Sequence, residues 1–283
     1  MVMMHGRSRP KPSRAQCLDP VQTRVSRERA TIVVPCYNEA RRLDLEAFST
    51  FVAGDSKLEL LFVDDGSEDE TVELLESLRA RVPARIGVLP LEKNRGKAEA
   101  VRLGLLRALE SGADIVGYLD ADLATPVDEM ARLLDVLRAG ETRVLLGSRV
   151  ALLGRDIQRK AVRHYLGRVF ASAASLVLRT TVYDSQCGAK IFRRTPALEA
   201  ALRQPFLSRW LFDVELLGRI LVPENGIPAL APGEIREEPL GVWPDIEGSK
   251  IRPWHLVIAA VDMSRIAADL GRRRRRTTRY PKQ

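Results

Sequence analysis

The chain has 283 residues, of which 45% are hydrophobic, and its formal net charge at pH 7 is +8. These values allow one α/β domain of roughly 200–250 residues plus tails, and three scattered cysteines exclude a disulfide framework and a zinc site. No stretch reaches the ~18 consecutive apolar residues of a membrane span, and no apolar secretory signal precedes the domain, so we expect a cytoplasmic protein.

The first segment, residues 1–29, is rich in arginine, proline and serine and shows little apolar periodicity. This composition predicts a disordered basic arm. The net positive charge of the whole chain is compatible with an anionic membrane, a nucleic acid or a phosphorylated substrate as partner, and it says nothing about the fold.

After this arm, short β-branched runs alternate with stretches of helical periodicity. The predicted strands are 30–35, 57–64, 85–89, 115–120 and one that begins at 143–147. The predicted helices between them are 70–80, 96–110 and 128–137. This alternation predicts an α/β, Rossmann-like fold with a mostly parallel sheet and helices on both faces.

The second half of the chain is less regular. Residues 158–180 carry an apolar stripe and a basic face, which predicts one long amphipathic helix. A core-facing helix is favoured, and a helix that lies in a membrane interface is the alternative. Near the end, the arginine run at 272–276 predicts a contact with anionic lipid, although a solvated tail or a weak nucleic-acid contact remains open.

Polar residues follow four of the predicted buried runs. In parallel sheets, ligands bind outside the carboxyl ends of the strands. The polar segments at these ends are 35–39, 64–67, 94–97 and 120–122. Because these ends meet at one edge of the sheet, the sequence predicts a binding site there.

Asp120 and Asp122 lie one residue apart where a strand ends. Two such carboxylates can approach one hard cation, such as Mg²⁺ or Mn²⁺, and leave the remaining positions to substrate phosphates and water. The metal would stabilise the charge that develops on a departing diphosphate. The alternative is a plain turn before a helix that Thr125 or an aspartate caps.

Asp64 and Asp65 end the neighbouring strand. A carboxylate there could accept hydrogen bonds from a pyrimidine or a ribose, although the Asp-Gly-Ser sequence is also a helix start signal. Lys97 follows Gly96 at the start of a predicted helix. It could contact a phosphate or a uracil carbonyl beside the exposed N–H groups of that helix.

These segments resemble a known family. The sequences Pro-Cys-Tyr-Asn-Glu, Val-Asp-Asp-Gly-Ser, Asn-Arg-Gly-Lys and Leu-Asp-Ala-Asp lie at 35–39, 63–67, 94–97 and 119–122. They resemble the donor half of the family 2 glycosyltransferases, which have the GT-A fold. The segments at 184–192, 209–216 and 247–250 resemble one branch, the dolichyl-phosphate β-glucosyltransferases and bacterial polyprenyl-phosphate glycosyltransferases.

The resemblance implies a nucleotide-sugar site on the first half of the chain. The residues it places there are Pro35, Tyr37, Asn38, Glu39, Asp64, Asp65, Lys97 and Asp120. Asp120 and Asp122 would flank the diphosphate with Mg²⁺ or Mn²⁺ as the cofactor, and Asp122 would be the direct metal ligand.

The resemblance also implies an acceptor site on the second half. The residues it places there are Arg149, Gln186, Lys190, Arg209 and Lys250. Arg149 and Lys250 would hold the acceptor phosphate, as cations suited to a phosphate nucleophile. Gln186, Cys187 and Lys190 would lie in a loop that closes over the sugar and the acceptor.

The implied reaction is an inverting transfer of a hexose from a nucleoside-diphosphate sugar to a polyprenyl or dolichyl phosphate, with glucose and UDP favoured. Asp122, Asp213 and Arg149 are the expected catalytic residues, and Asp213 matches the place where many relatives have a general base. A lipid monophosphate with a second pKa near ~6 is already largely an anion and needs no base. Asp213 could instead orient a sugar hydroxyl or hold Arg209.

We expect peripheral attachment to the cytoplasmic face of a membrane, because the transmembrane segments of the resembled proteins are not seen in this sequence. Attachment would depend on the helix at 158–180, the segment at 254–260 and the arginine run. The expected units are a basic arm (1–29), a GT-A domain (30–255) with a nucleotide-sugar half (30–150) and an acceptor half (151–255), and a C-terminal helix with an arginine-rich tail (256–283).

Three other functions stay open. A soluble family 2 glycosyltransferase could act on a sugar hydroxyl, although Arg149 and Lys250 favour a phosphate. A basic polyanion-binding protein is the second, but an aromatic fraction of 5% and no recognised module speak against a specific nucleic-acid partner. A nucleotidyltransferase is the third, and the lack of glycine directly after Pro35 counts against it.

Overall fold

The computed structural model describes residues 28–150, 156–157, 161–244 and 253–279. The strands in these segments are β1 (Ala30–Cys36), β2 (Leu58–Asp64), β3 (Ile86–Pro90), β4 (Ile115–Leu119), β5 (Val144–Ser148), β6 (Asp156–Ile157), β7 (Ala189–Arg193), β8 (Ile235–Pro239) and β9 (Val242–Trp243). The α-helices are α1 (Leu45–Gly54), α2 (Thr71–Arg81), α3 (Lys97–Glu110), α4 (Val127–Ala139), α5 (Ala161–Leu178), α6 (Pro196–Leu202), α7 (Phe212–Ile220) and α8 (Pro253–Arg279). Except for residues 28 and 29, the arm predicted at 1–29 lies outside the described residues.

A seven-stranded sheet in the order β3-β2-β1-β4-β7-β5-β8 forms the centre of the fold. β1 pairs in parallel with β2 and β4, β2 with β3, and β5 with β8. Within this sheet only β7 is reversed, between β4 and β5. The mostly parallel sheet predicted from the sequence is therefore confirmed, and the carboxyl ends of the parallel strands share one edge.

Helices cover both faces of the sheet, as the alternation predicts. Successive side chains of a strand point to opposite faces, so Val33 and Tyr118 pack with α3, α6 and α7, while Ile32 and Phe62 pack with α1, α2 and α4. These four side chains are fully buried. Burial on both faces explains why the strands read as continuous apolar runs rather than as alternating ones.

The sequence pattern does not predict β7 or α1. β7 contains Lys190, which is fully buried in the structure although lysine is almost never buried without a partner. α1 begins after Asp44, whose carboxylate accepts a hydrogen bond from the backbone N–H of Ala47 at 2.9 Å. Both elements depend on polar contacts that a hydrophobic periodicity does not contain.

α5 differs from the helix predicted at 158–180 in the face that it buries. The predicted stripe includes Val169 and Leu176, but these side chains are 72% and 80% exposed. The helix instead buries Ala171, Ala174 and Leu178, while Phe170, Ala173 and Val177 of the predicted stripe are partly buried against the same core. Small side chains allow a close approach to α7 and α8, so packing rather than the widest apolar stripe selects the buried face.

α8 belongs to the body of the fold along most of its length. Met263, Ile266 and Leu270 are buried, and Gly218 of α7 admits Leu270, because a Cβ on Gly218 would lie 2.3 Å from the leucine Cδ1. In the described residues no helix has the length and apolar content needed to cross a membrane.

Arginines of the run at 272–276 have structural contacts: Arg272 pairs with Asp269 of its own helix at 3.1 Å, and two others contact other segments of the chain. Arg273 pairs with Glu224 and Asp269, with N–O distances of 2.7 Å in both pairs. Arg274 donates to the carbonyl oxygens of Val177 and Leu178, the last residues of α5. A cation there satisfies carbonyls that the helix itself cannot pair. The run is therefore not a uniform solvated tail.

Candidate active site

Asp120 and Asp122 lie on a tight turn directly after β4. The backbone N–H of Leu123 donates to the Asp120 carbonyl at 3.2 Å, and Leu123 takes a positive φ of 51°. Oδ1 of Asp122 accepts a hydrogen bond from the N–H of Ala124 at 3.1 Å. This turn holds both carboxylates at the carboxyl edge of the sheet, as predicted.

Gly188, just before β7, packs directly on Asp120. A Cβ on Gly188 would lie 2.2 Å from Oδ2 of Asp120, so any side chain at 188 would force the Asp120 carboxylate out of its present position. The Asp120 N–H donates to the Gly188 carbonyl at 3.1 Å. The reversed strand β7 thus brings the loop that contains Gln186 and Cys187 to the two aspartates.

Lys97, the first residue of α3, forms an ion pair with Asp120, with Nζ 2.6 Å from Oδ1. Desolvation disfavours the ammonium, but the carboxylates of Asp120 and Asp213 outweigh it, and the pKa of Lys97 is raised. A permanent cation therefore lies beside the Asp120 carboxylate. The side chains at 97 and 120 thus meet at the carboxyl edge of the sheet, and a contact of Lys97 with a phosphate or a uracil carbonyl stays a prediction.

Asp65 holds the loop that precedes α3. Its carboxylate accepts hydrogen bonds from the backbone N–H groups of Arg95 and Gly96, each at 2.7 Å. Burial raises the pKa of Asp65, against the effect of these hydrogen bonds. Asp64 accepts from the N–H of Ser67 at 3.0 Å. Both aspartates therefore stabilise the turns that lead into the next helices, in line with the helix start signal of the Asp-Gly-Ser sequence.

The segment after β1 lies against the same turns. Asn38 takes a positive φ of 53°, its N–H donates to Ser67 Oγ at 2.9 Å, and its Oδ1 accepts from the N–H of Glu68 at 2.8 Å. Pro35 lies within β1, and the Tyr37 side chain is 41% exposed. Of this segment, Tyr37 is therefore the residue whose ring is open to a ligand.

Glu39 brings a third carboxylate to this edge. It pairs with Arg42, with Nη2 2.7 Å from Oε1. Burial raises the pKa of Glu39, Arg42 opposes the rise, and Asp122 and Asp120 add to it. Among the described residues, however, no three metal-ligating side chains converge on one point.

Asp213, the second residue of α7, accepts hydrogen bonds on both carboxylate oxygens. Lys190 Nζ and the Tyr118 hydroxyl donate to Oδ1, the lysine at 2.8 Å, and Gln186 Nε2 donates to Oδ2 at 3.2 Å. Burial, followed by the Asp213 charge, raises the pKa of Tyr118 well above its usual value. Lys190 also donates to the Cys187 carbonyl at 2.5 Å. Lys190 and Asp213 are buried and Gln186 is partly buried, and the three side chains form one hydrogen-bonded network.

Arg149, just after β5, is held by Asp184. Its Nε and Nη2 donate to the two carboxylate oxygens at 2.7 Å each, and its guanidinium lies 5.4 Å from the ring centroid of Trp243. Desolvation works against both charges, yet the pair raises the pKa of Arg149 and lowers the pKa of Asp184. Glu237 accepts from the Asp184 N–H at 2.8 Å and fixes the pair in turn.

Arg209 lies on the donor side of the site. Its Cδ would be 3.2 Å from a Cβ on Gly96, which has a positive φ of 91°, and its charge acts on Asp65. The assignment of Arg209 to the acceptor therefore stays a prediction. Lys250 lies outside the described residues.

Sequence reasoning missed Tyr118, Asp184 and Glu237 as members of the site. A tyrosine in a strand that is otherwise fully buried could have signalled a hydroxyl that needs a partner. Asp184 stands at the start of a segment already noted for its resemblance. Glu237 carries no such signal, because its role depends on β8 lying beside β5.

The two aspartates after β4 fit a divalent metal. A carboxylate pair on one turn offers hard oxygen ligands, and Mg²⁺ or Mn²⁺ often takes only one or two of them from a protein. The ammonium of Lys97, 2.6 Å from Oδ1 of Asp120, shows that this edge already accommodates a cation against the carboxylate. Asp122 is the residue of the pair without a lysine partner among the described residues.

Comparisons with known proteins agree with this geometry. The model of the glycosyl transferase family 2 matches residues 31–199. A dolichyl-phosphate β-glucosyltransferase of Trichomonas vaginalis is 30% identical over 250 residues, which cover 84% of this chain and 70% of the relative. A dolichyl-phosphate β-glucosyltransferase of Dictyostelium discoideum is 32% identical over 253 residues, with coverage of 83% and 73%.

Solved structures show the same architecture. Glucosyl-3-phosphoglycerate synthase from Mycobacterium tuberculosis, in complex with Mn²⁺, UDP and glucosyl-3-phosphoglycerate, superposes with a TM-score of 0.60 at 19% identity, over 95% of this chain and 86% of that one. The predicted GT-A, Rossmann-like fold is thereby confirmed. From the family match and from relatives that align over most of their length, the chain belongs to glycosyltransferase family 2.

Proposed function

We propose that this glycosyltransferase transfers glucose from UDP-glucose to a polyprenyl or dolichyl phosphate with inversion at the anomeric carbon. The relatives that align over most of the chain are named dolichyl-phosphate β-glucosyltransferases, which supports the sugar and the acceptor. The observation that carries the proposal is that both carboxylate oxygens of Asp213 already accept hydrogen bonds, from Lys190, Tyr118 and Gln186, so Asp213 is poorly placed to act as a base. An acceptor that needs no base, such as a phosphate, suits this site.

The donor lies at the carboxyl edge in this proposal. Tyr37 offers its exposed ring to the nucleoside, and the loops held by Asn38, Asp64 and Asp65 shape the pocket with Pro35 and Glu39. Asp122, with Asp120, would hold Mg²⁺ or Mn²⁺. When bound, the metal stabilises the charge that develops on the leaving UDP.

The acceptor phosphate attacks the anomeric carbon in line with the bond to UDP. At neutral pH a monophosphate is largely a dianion, because its second pKa is about 6. Arg149, oriented by Asp184, presents its remaining guanidinium nitrogen to this phosphate, and Lys250 assists. Lys97 remains next to Asp120 as a fixed cation beside the departing diphosphate.

We place the enzyme peripherally on an anionic membrane, at the cytoplasmic face. The support is a set of exposed apolar side chains at the start of α8, together with exposed arginines further along the same helix. Apolar contact and positive charge are two signals, and together they give stronger attachment than either one does alone. No specific nucleic-acid partner is part of this proposal.

The test is a transfer assay with radiolabelled UDP- and GDP-sugars, Mg²⁺ or Mn²⁺, and a polyprenyl phosphate in detergent. We expect label from UDP-glucose in the organic phase, lost with chelator and reduced by ~10³-fold or more in Asp122→Ala. Asp128→Asn, a carboxylate in the first turn of α4, is the matched control and should retain activity. Metal-dependent UDP binding without transfer to any lipid phosphate would reject this acceptor and favour a sugar hydroxyl.

A further inference from the structure

The start of α8 presents an apolar stripe to the solvent. Positions i, i+3, i+4 and i+7 of a helix share one face. The exposed fractions on this face are 51% for Trp254, 64% for Val257, 47% for Ile258 and 52% for Val261. The opposite face is buried further along the helix. Contiguous large apolar side chains on one exposed face mark an interaction site rather than ordinary surface.

A second exposed apolar element adjoins this stripe. The loop at 203–211 exposes Leu207 by 48% and Trp210 by 58%. Ser208, which lies between them, donates from Oγ to Oδ2 of Asp262 at 2.6 Å, and Asp262 follows Val261 on α8. The hydrogen bond therefore joins the loop to the helix within one turn of the apolar stripe. We call these six exposed side chains, at 207, 210, 254, 257, 258 and 261, the docking surface.

The loop is fixed in place by buried side chains. Oε2 of Glu215 accepts hydrogen bonds from the N–H groups of Leu207 and Ser208, at 2.8 and 3.3 Å. Oγ of Ser208 accepts from the N–H groups of Trp210 and Leu211, at 3.2 and 2.9 Å. A loop with this many anchors moves with α7 and α8, so a contact made by α8 also positions the loop.

The same loop reaches the active site. Arg209 lies between the two exposed apolar residues of the loop, and its stem packs on Gly96, directly before Lys97. The docking surface therefore adjoins the edge where Lys97 and Asp120 meet. A ligand held against the docking surface would enter the site past Arg209.

The charges next to the docking surface select its partner. The exposed face of α8 continues from Val261 to Arg265 and Arg272. Their side chains pair with Asp262 and Asp269 at 3.7 and 3.1 Å but stay 67% and 57% exposed, so both guanidinium groups still face the solvent. An apolar end followed by arginines along one helix face is the pattern of a helix that lies in an anionic membrane interface.

We infer that the docking surface binds an anionic lipid bilayer and brings the bilayer to the entrance of the active site at Arg209. The inference rests on the proposed function only for the identity of the acceptor in that bilayer. It assigns attachment to α8 and the loop, and not to the exposed residues of α5.

The first test measures binding to vesicles of phosphatidylcholine with and without phosphatidylglycerol. The wild type should co-sediment with the anionic vesicles, and the double variant Val257→Glu/Ile258→Glu should bind them ~100-fold more weakly. Leu176→Glu, at an 80% exposed position of α5, is the matched control and should bind like the wild type. Equal melting temperatures would show that all three proteins are folded.

The second test separates docking from chemistry. With a water-soluble two-isoprene phosphate as the acceptor, the double variant should keep the wild-type kcat, whereas with polyprenyl phosphate in anionic vesicles its rate should fall by at least ~10-fold. Vesicle binding that is unchanged in the double variant, or lost in Leu176→Glu instead, would overturn the inference and leave the proposed function intact. Vesicle binding without transfer to either phosphate would reject the function and leave docking in place.

Discussion

The hydrogen bonds of Asp213 disfavour a role for this residue as a general base. It lies 6% exposed at the start of α7, with Lys190 and Tyr118 on one oxygen and Gln186 on the other. Proton transfer to Asp213 would break contacts that hold a buried lysine. The network therefore suits a carboxylate that positions its neighbours, while the acceptor supplies its own negative charge.

Asp213→Asn should lower the free energy of unfolding by about 3 kcal/mol, because Lys190 would stay buried without a counter-charge. Combining it with Lys190→Met should restore part of this loss, and urea unfolding of the four proteins in the double-mutant cycle measures the coupling. The residual activity of Asp213→Asn should keep the shape of the wild-type pH–rate profile. Disappearance of one limb of that profile would identify Asp213 as a base.

The pair of Asp184 and Arg149 sets a stability that depends on pH. Folding lowers the pKa of Asp184 below its value in the unfolded chain, which is about 3.9. The ion pair therefore contributes its full stabilisation at pH values above about 3.9, and this stabilisation is lost as the pH falls through the lowered pKa of the folded protein. At pH 7, Asp184→Asn should cost about 3 kcal/mol in the free energy of unfolding. The difference from the wild type should persist down to about pH 4 and shrink below it. A difference that does not change with pH would contradict this account.

At the element scale, β7 connects the two halves of the site. It is the reversed strand of the sheet, and it places Gly188 against Asp120 and Lys190 against Asp213. A parallel strand in this position would not bring the loop before it to the carboxyl edge. One antiparallel strand therefore explains how residues near 186 meet residues near 120.

Gly188→Ala should remove most activity at a small cost in stability. The added methyl group would lie 2.2 Å from Oδ2 of Asp120, so the carboxylate or the loop must move away from its present position. Gly54→Ala is the matched control, because a Cβ there meets nothing within 4 Å. We expect kcat to fall ~100-fold in Gly188→Ala and to stay unchanged in Gly54→Ala, with metal-dependent UDP binding as a second measurement. Wild-type activity in Gly188→Ala would show that Asp120 can shift without consequence.

The first five strands could be predicted from the sequence, and β7 could not. The early strands are β-branched runs, and burial on both faces makes such runs recognisable. β7 contains Lys190, which a pattern of hydrophobicity treats as exposed, and its burial depends on Asp213, 23 residues further along the chain. The location of Asp120 and Lys97 in the site could be predicted, because the carboxyl ends of parallel strands meet at one edge of the sheet. The partner of Arg149 was not, because Asp184 reaches it only through the fold.

At the scale of the whole molecule, the positive charge has two separate uses. Arg273 and Arg274 tie the end of α8 to Glu224 and to the last carbonyls of α5. Among the described residues, Arg265 and Arg272 pair only with aspartates of their own helix and stay more than half exposed, and Arg276 is also exposed. The net charge of +8 therefore overstates the charge that a membrane would meet. Composition predicts a polyanion as partner, and only the packing tells which arginines face it.

Because some arginines of α8 stabilise the fold and others face the solvent, substitution of Arg274 and of Arg276 should affect different properties. Arg274→Ala should lower the free energy of unfolding by about 1 kcal/mol, because the carbonyls of Val177 and Leu178 lose a charged donor. Arg276→Ala, at an exposed position, should leave the unfolding curve unchanged and weaken binding to anionic vesicles by about 1 kcal/mol, which is roughly fivefold. Urea unfolding and vesicle co-sedimentation of both variants measure the two effects. The contrary outcome is that both variants weaken vesicle binding equally and leave the free energy of unfolding unchanged. The whole run would then act as one lipid-binding tail, and the contacts of Arg274 with α5 would contribute nothing to the stability of the fold.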